Sequence, residues 1–531
     1  MKQKPDLSYL RENIFFFSLL LFVVLLPFSE ALVSITAGLL LLQALLLFSW
    51  KHPSVPHGSW KNLLLLTSVF LIYVIGTLFT RDLPFARYEC RKVIFWIIIP
   101  TALFISPLLS RDRFLILLVF FCLSVFVASL TGVVKLLFSN YFQITEFRKI
   151  ILISHIRYSF QLVLTIIVLC WLFISKTKLP VIGYKPLWLL LLLVWLVYFL
   201  ILLKSITGIV AFTGTSLVLI LYLIAGMKKL KTKLLLFMLL MVLLVTPLIY
   251  VSRVWYDFYH TEKLDPHTVD KVTPSGNPYS FDFNSEEKEN GHWVRAYLCE
   301  KELREEWNKV SLCNYDSLDK SGFPYSATLI RYLTSKGLRK DSAGVRQLTY
   351  KDIRAIESGL ANHIYADRTF SLYPRVYESI WEYDIYSRSG NPNKQSLSQR
   401  IEYFKASVLL IRKNPWFGIG TGNWKIRYAE AYRDLHSKLI AENQGPSHNQ
   451  YLNYLVKFGL VGFLYISYVI LIPVFGERHR KNLVFWLFLV AMGVANFGDA
   501  NLETHMGLSF FTFFYCLFLW HSPDDIRAFH L

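Results

Sequence analysis

Charged residues are scarce in this sequence, and their scarcity excludes several classes of protein. Asp, Glu, Lys and Arg make up 18% of the 531 residues, while 54% are hydrophobic. The six cysteines form no Cys-x-x-Cys pair and no His/Cys cluster, so no metal site is expected. The net charge of +19 comes with no basic stretch interleaved with exposed aromatic residues, and no nucleic-acid-binding motif is present. Nucleic acid is therefore not an expected partner.

What the sequence has in abundance is continuous apolar runs of about 20 residues, the length that crosses a bilayer as a helix. The first run leads directly into the second without a small-residue cleavage site, so it is not a cleaved signal peptide. The predicted fold is an all-α polytopic membrane protein. Its predicted spans, about 12 in all, lie near residues 12–29, 31–50, 61–79, 93–110, 113–138, 158–175, 186–203, 206–226, 233–251, 451–474, 482–498 and 504–521.

Lysine and arginine in the short loops predict the orientation, because these residues concentrate on the cytoplasmic side. They cluster before the first run and between runs six and seven, eight and nine, and ten and eleven, which all fall on one side. Both termini are then cytoplasmic. Three regions are predicted: 1–251 with spans one to nine, 252–450 as a periplasmic loop, and 451–531 with spans ten to twelve and the C-terminus.

The predicted outer loop divides into an insertion over 260–395 and a motif segment over 396–450. The insertion has helical composition at 299–310 and 351–366, so we expect a small, mostly helical cap. Cys299 and Cys313 both lie in it. A disulfide between them is one of two open alternatives in an oxidising compartment, the other being two free thiols.

The motif segment begins with the clearest helix pattern outside the apolar runs. Apolar residues recur at helical spacing over 396–413, Ser396 or Ser398 can cap the helix, and Asn414-Pro415 ends it. A run of three alternating glycines follows. It lacks the preceding strand and the Lys-Ser/Thr of a nucleotide-binding loop, so a compact turn is favoured.

His448 is the sharpest candidate for chemistry, since a neutral imidazole can take a proton from an attacking hydroxyl. It lies at the outer mouth of a predicted span; the alternative is a histidine that only hydrogen-bonds a nearby carbonyl. Arg400 is the second candidate, because a guanidinium binds phosphate oxygens bidentately. Its alternative is a solvated arginine on a helix face. Asp499 and Glu503 can orient His448, pair with an arginine, or serve only the start of the last helix.

Basic residues in the short loops that are predicted to lie outside run against the cytoplasmic bias. An anionic headgroup such as a diphosphate would account for them, and Arg157 is favoured because it opens a span directly. The alternative is pairing with Asp82, Glu89, Glu146 and the acids of the outer loop. The basic set comprises Arg81, Arg87, Arg91, Lys92, Arg148, Lys149, Arg157 and Lys204.

Together these pieces resemble the O-antigen ligase/polymerase superfamily of bacterial membrane glycosyltransferases. The matching pattern is an arginine, a helix, Asn-Pro-aromatic-x-Gly-x-Gly-x-Gly-Asn, a gap, His-Asn-x-Tyr-Leu, and then x-Gly-Leu-x-Gly. Here these are Arg400, 414–423, 448–452 and 459–462. The resemblance is specific over roughly 396–470 and extends more weakly across the chain through the arrangement of spans.

The resemblance implies transfer of a glycan from undecaprenyl diphosphate to an acceptor, on the periplasmic face of the inner membrane, without metal, nucleotide or other cofactor. In ligase-type members the acceptor is the lipid A–core oligosaccharide. The resemblance also implies that His448 is the base for the acceptor hydroxyl and that Arg400 and Arg157 contact the donor diphosphate.

One position departs from the family pattern. Many members have Ser-Arg-x-Gly before the eighth span, where this sequence has Lys204-Ser205-Ile206-Thr207-Gly208. Lys204 is predicted to substitute as a point charge. Asn449, Tyr451 and Glu503 complete the predicted site as supporting residues.

Three other functions stay open. An O-antigen polymerase and a protein O-oligosaccharyltransferase share the donor and the motif. A lipid-linked glycan transporter belongs to a different class, in which charged residues lie in mid-span. Here they cluster at outer helix ends beside a large loop, which favours an enzyme.

Overall fold

The computed structural model describes residues 7–47, 60–138, 150–180, 183–265, 267–319, 322–368, 371–476 and 481–523. The chain forms two compact units, one drawn from 1–134, 150–240 and 385–531, the other from 135–149 and 241–384. The basic residues Arg148, Lys149, Arg478 and Arg480, and the acid Glu146, lie outside the described residues.

The first part of the chain is a succession of helices. They are α1 (Leu7–Leu25), α2 (Glu30–Leu47), α3 (Trp60–Thr77), α4 (Leu83–Lys92), α5 (Phe95–Ile105), α6 (Arg111–Leu137), α7 (His155–Ile174), α8 (Pro186–Leu202), α9 (Ile206–Gly226) and α10 (Leu230–Tyr259).

The segment after α10 combines one short antiparallel hairpin with further helices. The hairpin is β1 (Lys288–Glu289) and β2 (His292–Trp293), and the helices are α11 (Glu300–Val310), α12 (Tyr325–Ser335), α13 (Ser342–Arg346), α14 (Tyr350–Glu357), α15 (His363–Asp367) and α16 (Tyr373–Ser389). The predicted helix at 299–310 is confirmed, and the predicted region 351–366 contains two short helices, α14 and α15, separated by residues 358–362.

The last part of the chain is again helical. It contains α17 (Ser396–Lys413), α18 (Trp424–Asp434), α19 (Gln450–Leu471), α20 (Leu483–Ala495) and α21 (His505–Cys516), with 3₁₀ turns at Ala441–Asn443, Ile472–Phe475 and Asn501–Glu503 and a π turn at Leu517–His521. The helix predicted over 396–413 is therefore confirmed at both ends.

Each of the twelve predicted apolar runs contains a helix. Within the described residues, 7 helices are long and apolar enough to cross a membrane, and α8 and α20 are shorter apolar helices. The run at 93–110 gives only the 11 residues of α5, which contains Pro100 and ends where Ser106 turns to an extended conformation. Eleven residues span about 16 Å, roughly half of the hydrocarbon layer. The chain is a helical membrane protein, and the count of twelve crossings stays a prediction.

The core of the first unit is built around α21, where every side chain from Met506 to Cys516 is buried. A helix that is apolar on all faces must be enclosed by other helices. Its phenylalanines meet rings from the surrounding helices: Phe513 stacks on Phe22 of α1 at 4.5 Å, and Phe514 meets Phe121 of α6 at 4.7 Å. The high aromatic content of the sequence serves this packing.

The second unit has a core of its own, made by α11 to α15. Trp307, Leu303 and Tyr332 are fully buried in it. Glu302, also buried, accepts hydrogen bonds from the Thr273 hydroxyl (2.5 Å) and the Ser342 hydroxyl (2.8 Å). A buried carboxylate needs such partners, so this residue joins the segment before the hairpin to α13.

One smaller prediction is wrong, and one open alternative is decided. Neither Ser396 nor Ser398 caps α17: the cap position is Gln395, and the Ser398 hydroxyl donates to the Gln395 side chain at 2.9 Å. Cys299 and Cys313 are free thiols. The 11-residue helix α11 lies between them and spans about 16 Å. A disulfide requires Cα atoms closer than about 7 Å.

Candidate functional site

His448 lies immediately before α19 and faces the turn between α20 and α21. Its Nδ1 is 3.3 Å from the Asp499 Oδ1, and its side chain is 50% exposed. A carboxylate only accepts, so the proton of the pair is assigned to Nδ1, which leaves Nε2 as the basic nitrogen. Nε2 makes no hydrogen bond to any residue that the structure describes. An ionised orienting partner and one open nitrogen are what a general base requires.

Three bonds fix the backbone that carries His448, and they involve two predicted supporting residues. Asn449 caps α19 by accepting from the Leu452 N–H at 3.0 Å, and its amide donates to the Phe497 carbonyl at 3.2 Å. The Tyr451 hydroxyl donates to the Gly493 carbonyl at 2.6 Å. Both residues join the start of α19 to the end of α20. In this structure they position the loop that holds His448.

Arg400 reaches the neighbourhood of His448 through Tyr403. The two residues are three apart on α17 and so share a helix face. The Tyr403 ring lies 5.7 Å from the His448 ring, and its hydroxyl donates to the Asn443 carbonyl at 2.8 Å. Burial raises the pKa of Tyr403, and the charge of Arg400 acts in the opposite direction.

Arg157 approaches the site from the first turn of α7. Its Nη1 donates to Glu30 at 3.1 Å, while its Nε is buried and has no hydrogen-bond partner among the described residues. Its charge also contributes to the lowered pKa of Asp499. Buried donors in proteins are nearly always hydrogen-bonded, so the unpaired Arg157 Nε is expected to bind an acceptor. Arg157 therefore has one buried donor that no described residue occupies.

Lys204 is buried in the turn before α9, with a left-handed φ of 53°. Next to it, the Ser205 hydroxyl donates to that of Ser159 on α7 at 3.1 Å. On the other side, a Cβ on Gly498 would lie 2.8 Å from the Thr207 side chain. The turn containing Lys204 is therefore packed between the start of α7, which carries Arg157, and the turn that carries Asp499.

Glu503 does not face His448. Its Oε1 accepts from the Lys457 Nζ at 2.9 Å, and the same ammonium donates to Glu89 at 2.6 Å. All three side chains are buried, and Lys92 pairs with Glu89 at 2.5 Å. Buried side chains can stay charged when they are paired and hydrogen-bonded in this way. Glu503 thus has a structural role: it joins the 3₁₀ turn after Asp499 to α19 and α4.

The glycine run lies in a compact loop, residues 414–423, which we call the motif loop. It is wedged into a break in α19, where Gly459 has a φ of 64°. A break in a membrane helix is tolerated when its freed backbone groups are bonded again. Here four bonds to the motif loop do this: Leu460 N to Pro415 O (2.8 Å), Val461 N to Trp416 O (3.2 Å), Ile419 N to Val456 O (2.9 Å) and Gly420 N to Lys457 O (2.9 Å).

The other side of the motif loop packs on the end of α3. The Thr421 hydroxyl donates to the Tyr73 carbonyl at 2.7 Å, and the Asn423 amide donates to the Phe79 carbonyl at 3.0 Å. Gly418 and Gly420 have positive φ values of 69° and 84°, which glycine adopts without strain. The compact turn favoured by the sequence is present, and it fastens α19 to α3.

Comparison with known proteins finds a family to which part of this chain is similar. Residues 356–467 match the family model described as O-antigen ligase. This match supports membership of the O-antigen ligase superfamily. A segment of 158 residues is also 36% identical to an uncharacterized protein of Haemophilus influenzae. That match covers 29% of this chain and 37% of the Haemophilus protein.

The part that matches the O-antigen ligase family contains α17, the motif loop, α18 and most of α19. It therefore includes His448 and Arg400. Arg157, Lys204 and Asp499 lie outside the match, and the fold brings them to it from α7, the turn before α9 and the turn after α20. The residues of the candidate site therefore come from several separate segments of the first unit.

Sequence reasoning missed Tyr403 and Lys457 in this candidate site. In the sequence Tyr403 is only one of the apolar positions of α17, and nothing local distinguishes it. Lys457 did carry a signal, because it is a single lysine inside a predicted span, where a charge needs a partner. Its partners Glu89 and Glu503 are distant in sequence, so only the fold identifies them.

Proposed function

We propose that this chain transfers a glycan from a lipid diphosphate carrier to a hydroxyl of an acceptor glycan. The observation that carries the proposal is the His448–Asp499 pair with its open Nε2, next to an Arg157 Nε that has no partner among the described residues. Membership of the O-antigen ligase superfamily supports undecaprenyl diphosphate as the carrier and lipid A–core as the acceptor. It also supports a site on the periplasmic face of the inner membrane.

In the proposed reaction His448 Nε2 accepts the proton of the acceptor hydroxyl. The hydroxyl oxygen forms a bond to the anomeric carbon of the donor glycan, and the bond from that carbon to the diphosphate oxygen breaks. The diphosphate leaves with the electron pair. Arg400, Arg157 and Lys204 stabilise its charge by lying beside it, which is the electrostatic part of the catalysis. Asp499 stabilises the imidazolium that forms on His448.

The proposal is tested by transfer in vitro, with purified protein, lipid-linked glycan and lipid A–core. We expect His448→Ala to lower the rate by about 10²–10⁴-fold, the usual contribution of a positioned base. His260→Ala is the matched control, because His260 is exposed at the end of α10 and stacks on Tyr256 at 4.9 Å; it should transfer at the rate of the unaltered protein.

Two outcomes would count against the proposal. One is a His448→Ala variant that transfers within a few-fold of the unaltered rate, which would remove His448 as the base. The other is an unaltered protein that gives no product with lipid A–core. If it then joins two lipid-linked glycans, the acceptor is a second donor and the reaction is polymerisation.

A further inference from the structure

The second unit contains a cleft that the proposed reaction does not use. It lies beside the hairpin of β1 and β2 and has a volume of about 410 Å³, and we call it the hairpin cleft. Three stretches of chain form it: residues 261–264, residues 281–285, and β2 with the residues that follow it to 296. Its volume lies within the range of about 300–1,000 Å³ that is typical of small-molecule sites. The cleft is therefore large enough for a ligand of its own.

Three aromatic side chains line the hairpin cleft, namely Phe281, Phe283 and Trp293. The rings of Phe281 and Phe283 are nearly parallel, with 2° between their planes and 5.4 Å between their centroids. Phe281 also packs against the Tyr297 ring at 5.0 Å, whereas Phe283 is 51% exposed. The face of an aromatic ring is the negative part of its quadrupole, so it attracts the polarised C–H groups of a sugar ring. The cleft thus offers aromatic surface that the fold itself leaves uncovered.

Hydrogen bonds hold Trp293 in one orientation. Its indole N–H donates to the Glu262 carbonyl at 3.0 Å, and its own carbonyl accepts from the buried Lys340 ammonium at 3.0 Å. The Glu262 N–H in turn donates to the Gly291 carbonyl, in the turn of the hairpin, at 2.9 Å. A site whose groups are fixed in advance loses little conformational entropy when a ligand binds. The indole ring can therefore serve as a rigid wall of the hairpin cleft.

Polar groups at the hairpin cleft keep hydrogen-bonding capacity. Asp282 accepts from the Asn284 N–H at 3.1 Å through Oδ1, while its Oδ2 has no donor among the residues that the structure describes. The Arg295 Nε donates to Glu287 at 3.0 Å, and its terminal nitrogens make no hydrogen bond within the described ranges. The Ser285 hydroxyl accepts from the Glu287 N–H at 3.3 Å. Because a sugar hydroxyl both donates and accepts, it can bond to the open carboxylate oxygen and to the open guanidinium nitrogens.

The charges around the hairpin cleft are balanced. Its lining holds as many acids as bases: Glu262, Asp282, Lys263 and Arg295. Just outside the lining, Glu262 is bonded to His292 at 2.9 Å and Arg295 to Glu287 at 3.0 Å. Even with His292 protonated, this set carries no excess of positive charge, which a phosphate or carboxylate ligand would require. Together with the exposed aromatic rings, the balance favours an uncharged ligand that is rich in hydroxyl groups.

From these observations we propose that the hairpin cleft is a carbohydrate-binding site, which holds an uncharged sugar of an oligosaccharide. Phe283 and Trp293 contact the C–H face of the sugar ring, and Asp282 and Arg295 hydrogen-bond its hydroxyls. No covalent bond is made or broken there. The inference goes beyond the proposed function, because it uses none of the residues assigned to transfer and gives the insertion over 260–395 a role of its own.

The test measures binding of the purified, fluorescently labelled full chain to an array of oligosaccharides. The array carries neutral oligosaccharides built from hexoses, heptoses and N-acetylhexosamines, and acidic ones for comparison. The detergent must have a headgroup that is not a sugar, since a sugar headgroup would compete for the cleft. We expect binding to neutral oligosaccharides, and titration with the one that binds best gives the dissociation constant.

Two variants of the hairpin cleft have matched controls. Phe283→Ala removes the exposed ring, and Phe323→Ala is its control, a 59% exposed phenylalanine of the same unit that does not line the cleft. Arg295→Gln removes the guanidinium, and Arg304→Gln is its control, because both arginine side chains are 48% exposed and paired with an acid. We expect the dissociation constant to rise by about tenfold or more for each cleft variant and to stay unchanged for each control.

Absence of binding to every neutral oligosaccharide on the array would overturn the inference. So would binding that both cleft variants retain in full, since the sugar would then be held elsewhere in the chain, and so would a preference for acidic oligosaccharides. Failure of the proposed function is recognised separately with His448→Ala. That variant should bind the oligosaccharide like the unaltered protein while losing transfer; if it keeps transfer, the base assignment fails whatever the cleft variants show.

Discussion

At the scale of single residues, the ionised state of Asp499 decides whether His448 can act as a base. Burial raises the pKa of Asp499, but the hydrogen bond and charge of His448, together with the charge of Arg157, lower it overall. A carboxyl with a lowered pKa stays ionised at neutral pH, and the pair is lost only when the pH falls through that lowered value. At neutral pH Asp499 therefore holds the His448 proton on Nδ1.

We expect Asp499→Asn to lower the transfer rate by about 10²–10⁴-fold, because an amide no longer favours the tautomer with a free Nε2. The loss should fall on kcat rather than on KM, since Asp499 positions the base and does not hold the donor. Asp499→Glu should recover part of the rate. Steady-state kinetics of the three proteins check this, and equal rates for the amide and the unaltered protein would show that Asp499 has no positioning role.

At the scale of elements, the contact between the motif loop and the break in α19 determines the shape of the site. A glycine is needed at this break, because a Cβ on residue 459 would lie 2.3 Å from the Trp416 carbonyl oxygen. The loop in turn fixes the separation of α17 and α18 from α3. This one contact therefore joins the helix that carries Arg400 to the end of α3.

Gly459→Ala should destabilise the protein by about 1–3 kcal/mol, since the alanine meets both a positive φ and a backbone clash. Gly38→Ala is the control: a Cβ at Gly38, in the middle of α2, has nothing within 4 Å, and alanine is the better helix former. Thermal unfolding in detergent compares the two. A Gly459→Ala variant that melts with the control would mean that the loop adapts without cost.

At the scale of the whole molecule, the second unit has a pH-dependent stability that two of its carboxylates determine. In the second unit, burial raises the pKa of Glu302, but hydrogen bonds from Thr273, Asn277 and Ser342 outweigh it and bring the pKa to about 2 from 4.5. Asp352 also falls to about 2, from 3.8, because bonds from Lys336, Tyr332 and Thr349 outweigh its burial. A lowered folded-state pKa stabilises above the unfolded value, and that stabilisation is lost on acidification.

The second unit should therefore lose stability as the pH falls from about 4.5 to about 2. Glu302→Gln should be less stable than the unaltered protein at pH 7 and should lose less on acidification, because the titrating group is gone. Asp316→Asn, which removes an exposed carboxylate bound to Arg304, is the control. Hydrogen exchange of the α11–α13 region, compared between variants at each pH, measures this. Identical protection in Glu302→Gln and the control would contradict it.

The sequence by itself determined the helices and the positions of the chemically reactive residues. Apolar runs and helical spacing are local properties, so α17 could be predicted to the residue at both ends, and each apolar run proved to contain a helix. The spacing of Arg400, the glycine run and His448 likewise carries the resemblance to the superfamily, because a motif is a linear pattern. Capping was less predictable: Ser396 and Ser398 are both suitable, and side-chain packing selected neither.

Only the tertiary structure decided which residues act together. Asp499 and Glu503 are four residues apart with the same chemistry, and the sequence could not choose between them as the partner of His448. The fold turns Asp499 toward the imidazole and Glu503 toward Lys457, because a buried ammonium must be matched by carboxylates from distant segments. Arg157 likewise pairs with Glu30 across a separation of 127 residues. Charge pairing across long sequence separations depends on how helices pack, and no local pattern records it.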